Sequence, residues 1–147
     1  MHFNHCYCIR HRIRSYFTLN LVIVDSILFL LSITGYLLNR FWFSSYRLLF
    51  LINHFNDFLA GILFPAYVNI LLAFCGKRMK GWLIPLIVIL IVGLFWEYVT
   101  PLYHQCVSDP KDILAYVSGT LVYCTTIQIT LFMQTVKQKE NVKFPTQ

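Results

Sequence analysis

Four stretches of this chain, about Phe17 to Leu38, Leu48 to Cys75, Trp82 to Thr100 and Ile113 to Gln134, stay apolar for close to the length of a bilayer core. A helix crossing that core needs roughly twenty predominantly apolar residues. In lipid every backbone donor and acceptor must be met within the protein, so runs of this kind fold as helices or not at all. The composition agrees: of 147 residues, 58% are hydrophobic and only 12% charged. A soluble domain carries roughly a quarter of its residues as charges. A cytoplasmic enzyme, a disordered tail and a disulfide-stapled secreted domain are all poorly supported.

The expected fold is therefore all-α: one integral membrane domain of four transmembrane helices over residues 1–134, followed by a cytoplasmic tail, residues 135–147. The second stretch is too long for a straight crossing. Its first part, Leu48 to Asp57, holds Asn53, His54, Asn56 and Asp57 and reads as a tilted or re-entrant polar segment, with the crossing proper from Phe58 to Cys75. Pro65 lies inside that crossing and is tolerable there if a neighbouring helix satisfies the carbonyl it frees. The first stretch is too long for the apolar region of a signal peptide and no small-x-small cleavage site follows it, so it reads as a retained helix.

The net charge of +6 raises nucleic-acid binding, but the basic residues form no face or stripe. They sit in short groups between the apolar runs, which is the pattern of membrane loop anchoring; no nucleic-acid partner is expected. Arg10, Arg12, Arg14, Lys77, Arg78, Lys80, Lys137, Lys139 and Lys143 fall on one side of the expected topology, and Arg40, Arg47 and Lys111 on the other. The positive-inside rule then places both termini in the cytoplasm.

Ionisable groups inside spans are costly and persist where they face a bundle interior or a wet cavity. Asp57, Glu97 and Asp112 are far apart in sequence, yet this topology brings them to one depth near the outer boundary. Asn53, His54, Thr100, His104 and Asp109 share that level. Asp25 is different, about halfway through the first helix, where it would pair with a serine or threonine across the bundle or relay protons. On the fourth helix Asp112, Tyr116, Gly119, Tyr123, Thr126 and Thr130 advance by alternating steps of four and three, one continuous polar stripe. Gly93, Glu97 and Thr100 share a face of the third helix, and Thr18, Asp25 and Ser32 one of the first.

Converging stripes imply an outward-opening acidic pocket. Glu97 and Asp112 are the candidate catalytic carboxylates. Asp57, Glu97 and Asp112 form an oxygen-rich set suited to a divalent cation. Asn53, His54, Asp57, Thr100, His104 and Tyr116 are the candidate substrate-binding groups, and Asp25, Asp109 and Gly119 have structural or relay roles. A plainer explanation stands beside this one for the aspartates: Asp109-Pro110-Lys111-Asp112 is a strong helix start, with an Asp cap and Pro at the first helical position. Glu97 has no such explanation, because it sits near a helix carboxyl end, where the dipole disfavours an anion. The histidines could equally be interfacial polar groups. The five cysteines form no framework, and the short tract of His2, His5, Cys6 and Cys8 lacks a second ligand pair.

The stretch from Glu97 to Tyr123, EYVTPLYHQCVSDPKDILAYVSGTLVY, resembles the VanZ-like membrane proteins. Those show a Glu near the end of one span and a D-x-x-D-x-x-x-N-x-x-G pattern opening the next. Glu97, Asp109, Asp112 and Gly119 fill these positions; Tyr116 stands at the Asn position, Thr100 at that of a usual Gln, and a usual loop Arg has no counterpart. The resemblance implies a small bacterial multi-pass protein of the cell envelope, from a family whose namesake is associated with low-level teicoplanin resistance. Three functions follow as expectations. The first is engagement of a lipid or glycolipid head group by the outward pocket, with a divalent cation assisting. The second is a small ion- or proton-coupled transporter, acting as a homo-oligomer. The third is a non-catalytic membrane assembly factor. Membrane lipids are the expected partners in each.

Overall fold

A computed structural model describes residues 3–41, 54–103 and 109–143. They are helical throughout apart from short turns, with no strand among them. Helix α1 spans Phe3–Phe41, α2 Phe55–Phe74, α3 Leu83–Leu94 and α4 Pro110–Lys143. α3 continues through a π-helical turn, Phe95–Val99, and a 3-10 turn, Thr100–Leu102. Three helical segments, Asn20–Phe41, Phe55–Phe74 and Pro110–Lys137, are long and apolar enough to cross a membrane, and Leu83–Val99 is a shorter apolar helix. The protein is thus a helical membrane protein by the length and composition of three helices.

Boundaries differ from those the hydropathy suggests: α1 is already helical at Phe3, well ahead of Phe17. His54 forms a turn, and Phe55 to Asp57 are already the first turn of α2. The expected re-entrant segment otherwise falls on residues 48–53, outside the described residues. α4 runs on as a helix past Gln134 to Lys143. α2 ends where Gly76 takes a left-handed φ of 65°. The Gly76 and Lys77 amides bond back to Ala73 and Leu72 at 2.9 Å each, the Schellman arrangement that satisfies orphan helix carbonyls.

α2 sits at the centre, with α1 on one side and α4 on the other, and α3 packs chiefly on α4. Each helix turns one narrow stripe inward. On α1 the buried residues are Leu21, Asp25, Ser32 and Asn39; on α3 they are Pro85, Ile89 and Gly93, with Glu97 following. On α4 they are Ala115, Tyr116, Gly119, Thr120, Tyr123, Cys124 and Ile127. Leucine, isoleucine and phenylalanine dominate the exposed faces, as expected of surfaces that meet lipid rather than water.

The α2–α4 crossing is backbone on backbone. A Cβ on Gly119 would lie 2.0 Å from the Phe58 carbonyl oxygen, and one on Gly61 would lie 2.2 Å from that of Tyr116. Glycine is required at both positions, since small residues are what let membrane helices approach this closely. The close approach also resolves Pro65. Proline has no N–H, so the carbonyl of Gly61, four residues back, loses its helical donor. Thr120 Oγ1 from α4 lies 2.8 Å from that carbonyl oxygen and 3.0 Å from the Tyr116 carbonyl oxygen. A hydroxyl has one proton and donates to one of them at a time.

Candidate functional site

The start of α2, the π-turn after α3 and the start of α4 meet at one end of the bundle. His54 precedes α2, and its Nδ1 lies 2.6 Å from Asp112 Oδ1 on the first turn of α4. One turn into α2, Asp57 lies near enough to Tyr116, Asp112 and Glu97 to interact electrostatically with each. Tyr116 is kept in place by α3: its ring lies against Gly93, where a Cβ would come within 3.3 Å of it.

Glu97 is buried, at 5% exposure, inside the π-turn. Such turns insert one extra residue into a helix and cluster at functional sites. Its Oε2 accepts the backbone N–H of Asp109 at 2.9 Å, so it fixes the approach of the chain to α4. Asp109 then caps that helix: its Oδ1 accepts the Lys111 amide at 3.0 Å, and its carbonyl accepts the Asp112 amide at 3.0 Å. The capping explanation of Asp109 and the site explanation are therefore compatible, since one carboxylate oxygen caps while the other remains for a second partner.

Ligand atoms of His54, Asp109 and Asp112 all lie within 4.8 Å of one another. Two ligands about 2.1 Å from one ion can stand at most about 4.2 Å apart, so small side-chain shifts suffice for these three to share an ion. The sequence suggested Asp57, Glu97 and Asp112 as the metal set. Only Asp112 belongs to the group that gathers; Asp57 is not among its ligand atoms, and Glu97 supports Asp109 from the backbone side. An imidazole nitrogen among carboxylate oxygens suits Mn²⁺ or Zn²⁺ better than Ca²⁺.

Of the remaining expected groups, Thr100 is half-buried in the 3-10 turn just beyond Glu97. Gly119 belongs to the helix crossing rather than to the site. Asn53 and His104 lie outside the described residues, as do the side chains of the amino-terminal His/Cys tract. At the carboxyl end of α1, Asn39 Nδ2 donates to Asn56 Oδ1 at 2.8 Å, a tie beside the cluster that the hydropathy gave no reason to single out.

Asp25 is fully buried and belongs to a different place and partner than expected. The hydrogen bonds described for it go to neither serine nor threonine. Arg78, in the loop after α2, donates to both of its oxygens at 2.7 and 3.2 Å, and the Tyr123 hydroxyl donates at 2.8 Å. Asn69 Nδ2 in turn donates to the Tyr123 oxygen at 2.6 Å, and Asn69 Oδ1 accepts the Met79 amide at 2.8 Å. Asp25 thus lies at the opposite end of α2 from the carboxylate cluster. The signal was available in the sequence: a carboxylate buried this deep needs a cation, and the Lys77–Lys80 loop supplies the nearest ones by topology.

No family model, curated protein or solved structure matches the chain.

Proposed function

We propose that this protein is a VanZ-like bacterial membrane protein that crosses the inner membrane four times with both termini in the cytoplasm. In this reading Leu83–Val99 is the fourth span, and the carboxylate cluster faces outward. The cluster engages a phosphate-bearing lipid or glycolipid head group through a divalent cation. The observation that carries the reading is the convergence of His54, Asp109 and Asp112 within 4.8 Å, backed by Asp57, Tyr116 and Glu97 from three separate elements. Acidic side chains alone would repel a phosphate; a cation between them and the phosphate reverses the sign of the interaction. A His/Asp/Asp set leaves coordination positions open, which phosphate oxygens fill. Three points support this topology: the distribution of basic residues, the resemblance over Glu97 to Gly119, and the partly exposed state of His54, Asp109 and Asp112.

Binding of glycerol 3-phosphate to the purified full chain in detergent, by calorimetry with and without Mn²⁺, tests the reading. Binding should require Mn²⁺ and be lost in Asp112→Asn at unchanged helicity. Equal binding in the presence of a chelator, or by Asp112→Asn, would overturn it.

A further inference from the structure

The buried ionic network at the far end of α2 has no part in the head-group site, and its geometry is that of a closure. The chain from Lys77 to Lys80 crosses that end of the bundle between two glycines in the left-handed region, Gly76 at φ 65° and Gly81 at φ 70°. A Cβ at either glycine would meet nothing within 4 Å, so the space around both turns is open. Lys77 and Lys80 are exposed; only Arg78 and Met79 are drawn inward. Besides the Lys77 amide on the Leu72 carbonyl at the α2 cap, the polar ties described between the strap and the bundle are two from the Arg78 guanidinium to Asp25 and one from the Met79 amide to Asn69. Beneath the strap lie Tyr123, Asn69 and Asp25, all buried; Cys124, buried next to Tyr123 in sequence, has its Sγ 4.0 Å from the carbonyl oxygen of Trp82, the residue that follows Gly81.

A strap needing only a fixed position would be held as well by apolar side chains, because exchanging a buried ion pair for well-packed apolar groups is often neutral or stabilising. An ion pair differs in that losing either partner releases the strap. We infer that residues 77–80 form a hinged gate over the end of the bundle opposite the carboxylate cluster, locked by Arg78 on Asp25. Opening swings the strap on Gly76 and Gly81 and admits water to Asn69, Tyr123 and Asp25. The inference does not depend on what the carboxylate cluster binds.

Two native cysteines report on the gate. Cys75 is exposed and Cys124 is buried. In the full chain in detergent, N-ethylmaleimide labelling resolved by peptide mass spectrometry should modify Cys124 at least ten-fold more slowly than Cys75. In Arg78→Gln, Cys124 should react at least ten-fold faster than in the wild type while Cys75 is unchanged. Hydrogen exchange should rise in the strap peptide and not in the body of α2. If Arg78→Gln exchanges throughout because it strands the Asp25 charge, the double variant Asp25→Asn/Arg78→Gln, which strands none, should confine the increase to the strap. Three results would overturn the gate: wild-type Cys124 reacting as fast as Cys75, protection of Cys124 in folded variants equal to wild type, or global exchange in both variants.

Discussion

Thr120 and Pro65 lie on different helices, yet they should be energetically coupled with a predictable sign. Thr120→Val removes the hydroxyl that satisfies the Gly61 carbonyl, at nearly constant volume. In a helix without proline the loss would matter little, because the amide four residues on would already occupy that oxygen. Here the proline leaves the carbonyl to Thr120, 2.8 Å away. Stranding a buried carbonyl costs about 1–3 kcal/mol, whereas interhelical bonds in membrane proteins average about 0.6 and reach about 1.7 kcal/mol. Thr120→Val should therefore destabilise by about 1–2 kcal/mol, and Thr120→Ser by less than about 0.5 kcal/mol, since it keeps the donor. In a Pro65→Ala background the restored amide takes over the Gly61 oxygen, and Thr120→Val should then be near neutral. The expected coupling is about 1 kcal/mol, which a double-mutant cycle resolves. Denaturant unfolding in mixed micelles, followed by far-UV circular dichroism, is the assay. An equal effect of Thr120→Val in both backgrounds would refute the assignment.

Gly119→Ala and Gly61→Ala place a methyl about 2 Å from a backbone oxygen of the facing helix, so α2 and α4 must separate. Each should destabilise by several kcal/mol, more than Gly93→Ala, whose methyl meets only the edge of the Tyr116 ring at 3.3 Å; the same micelle titration ranks them. Glu97→Gln keeps a side-chain acceptor but removes the charge that strengthens the bond to the Asp109 amide. Hydrogen exchange at Asp109 should accelerate roughly ten-fold, equivalent to about 1.4 kcal/mol, with α2 amides unchanged. Unchanged exchange at Asp109 would remove Glu97 from its supporting role.

Apolar run lengths marked the three helices that are long and apolar enough to cross a membrane, because hydrocarbon imposes one length and one secondary structure. The alternating steps of four and three from Asp112 to Thr130 likewise marked the face of α4 that turns inward, with Tyr116, Gly119 and Tyr123 buried on it. The need for a donor at the carbonyl freed by Pro65 was legible too, although Thr120 as its source was not: nothing in a single sequence says which residue of α4 crosses Gly61. Membership of the carboxylate cluster could be read as depth, not as bonding. Asp57 and Glu97 share a level with Asp112, but depth does not distinguish a ligand from a group that holds a ligand's backbone, as Glu97 holds Asp109. Asp25 was placed at mid-membrane by counting from Phe17. Its partner is Arg78, a residue that the charge rule had treated only as an anchor.

Whether one divalent cation is held by His54, Asp109 and Asp112 together is most directly tested by Mn²⁺ titration of the purified full chain, followed by electron paramagnetic resonance. One Mn²⁺ per chain should bind with hyperfine coupling to a single imidazole nitrogen, which His54→Ala removes, and Asp112→Asn should abolish the bound signal. A spectrum identical to that of hydrated Mn²⁺, or a bound ion whose signal survives both substitutions, would contradict the account.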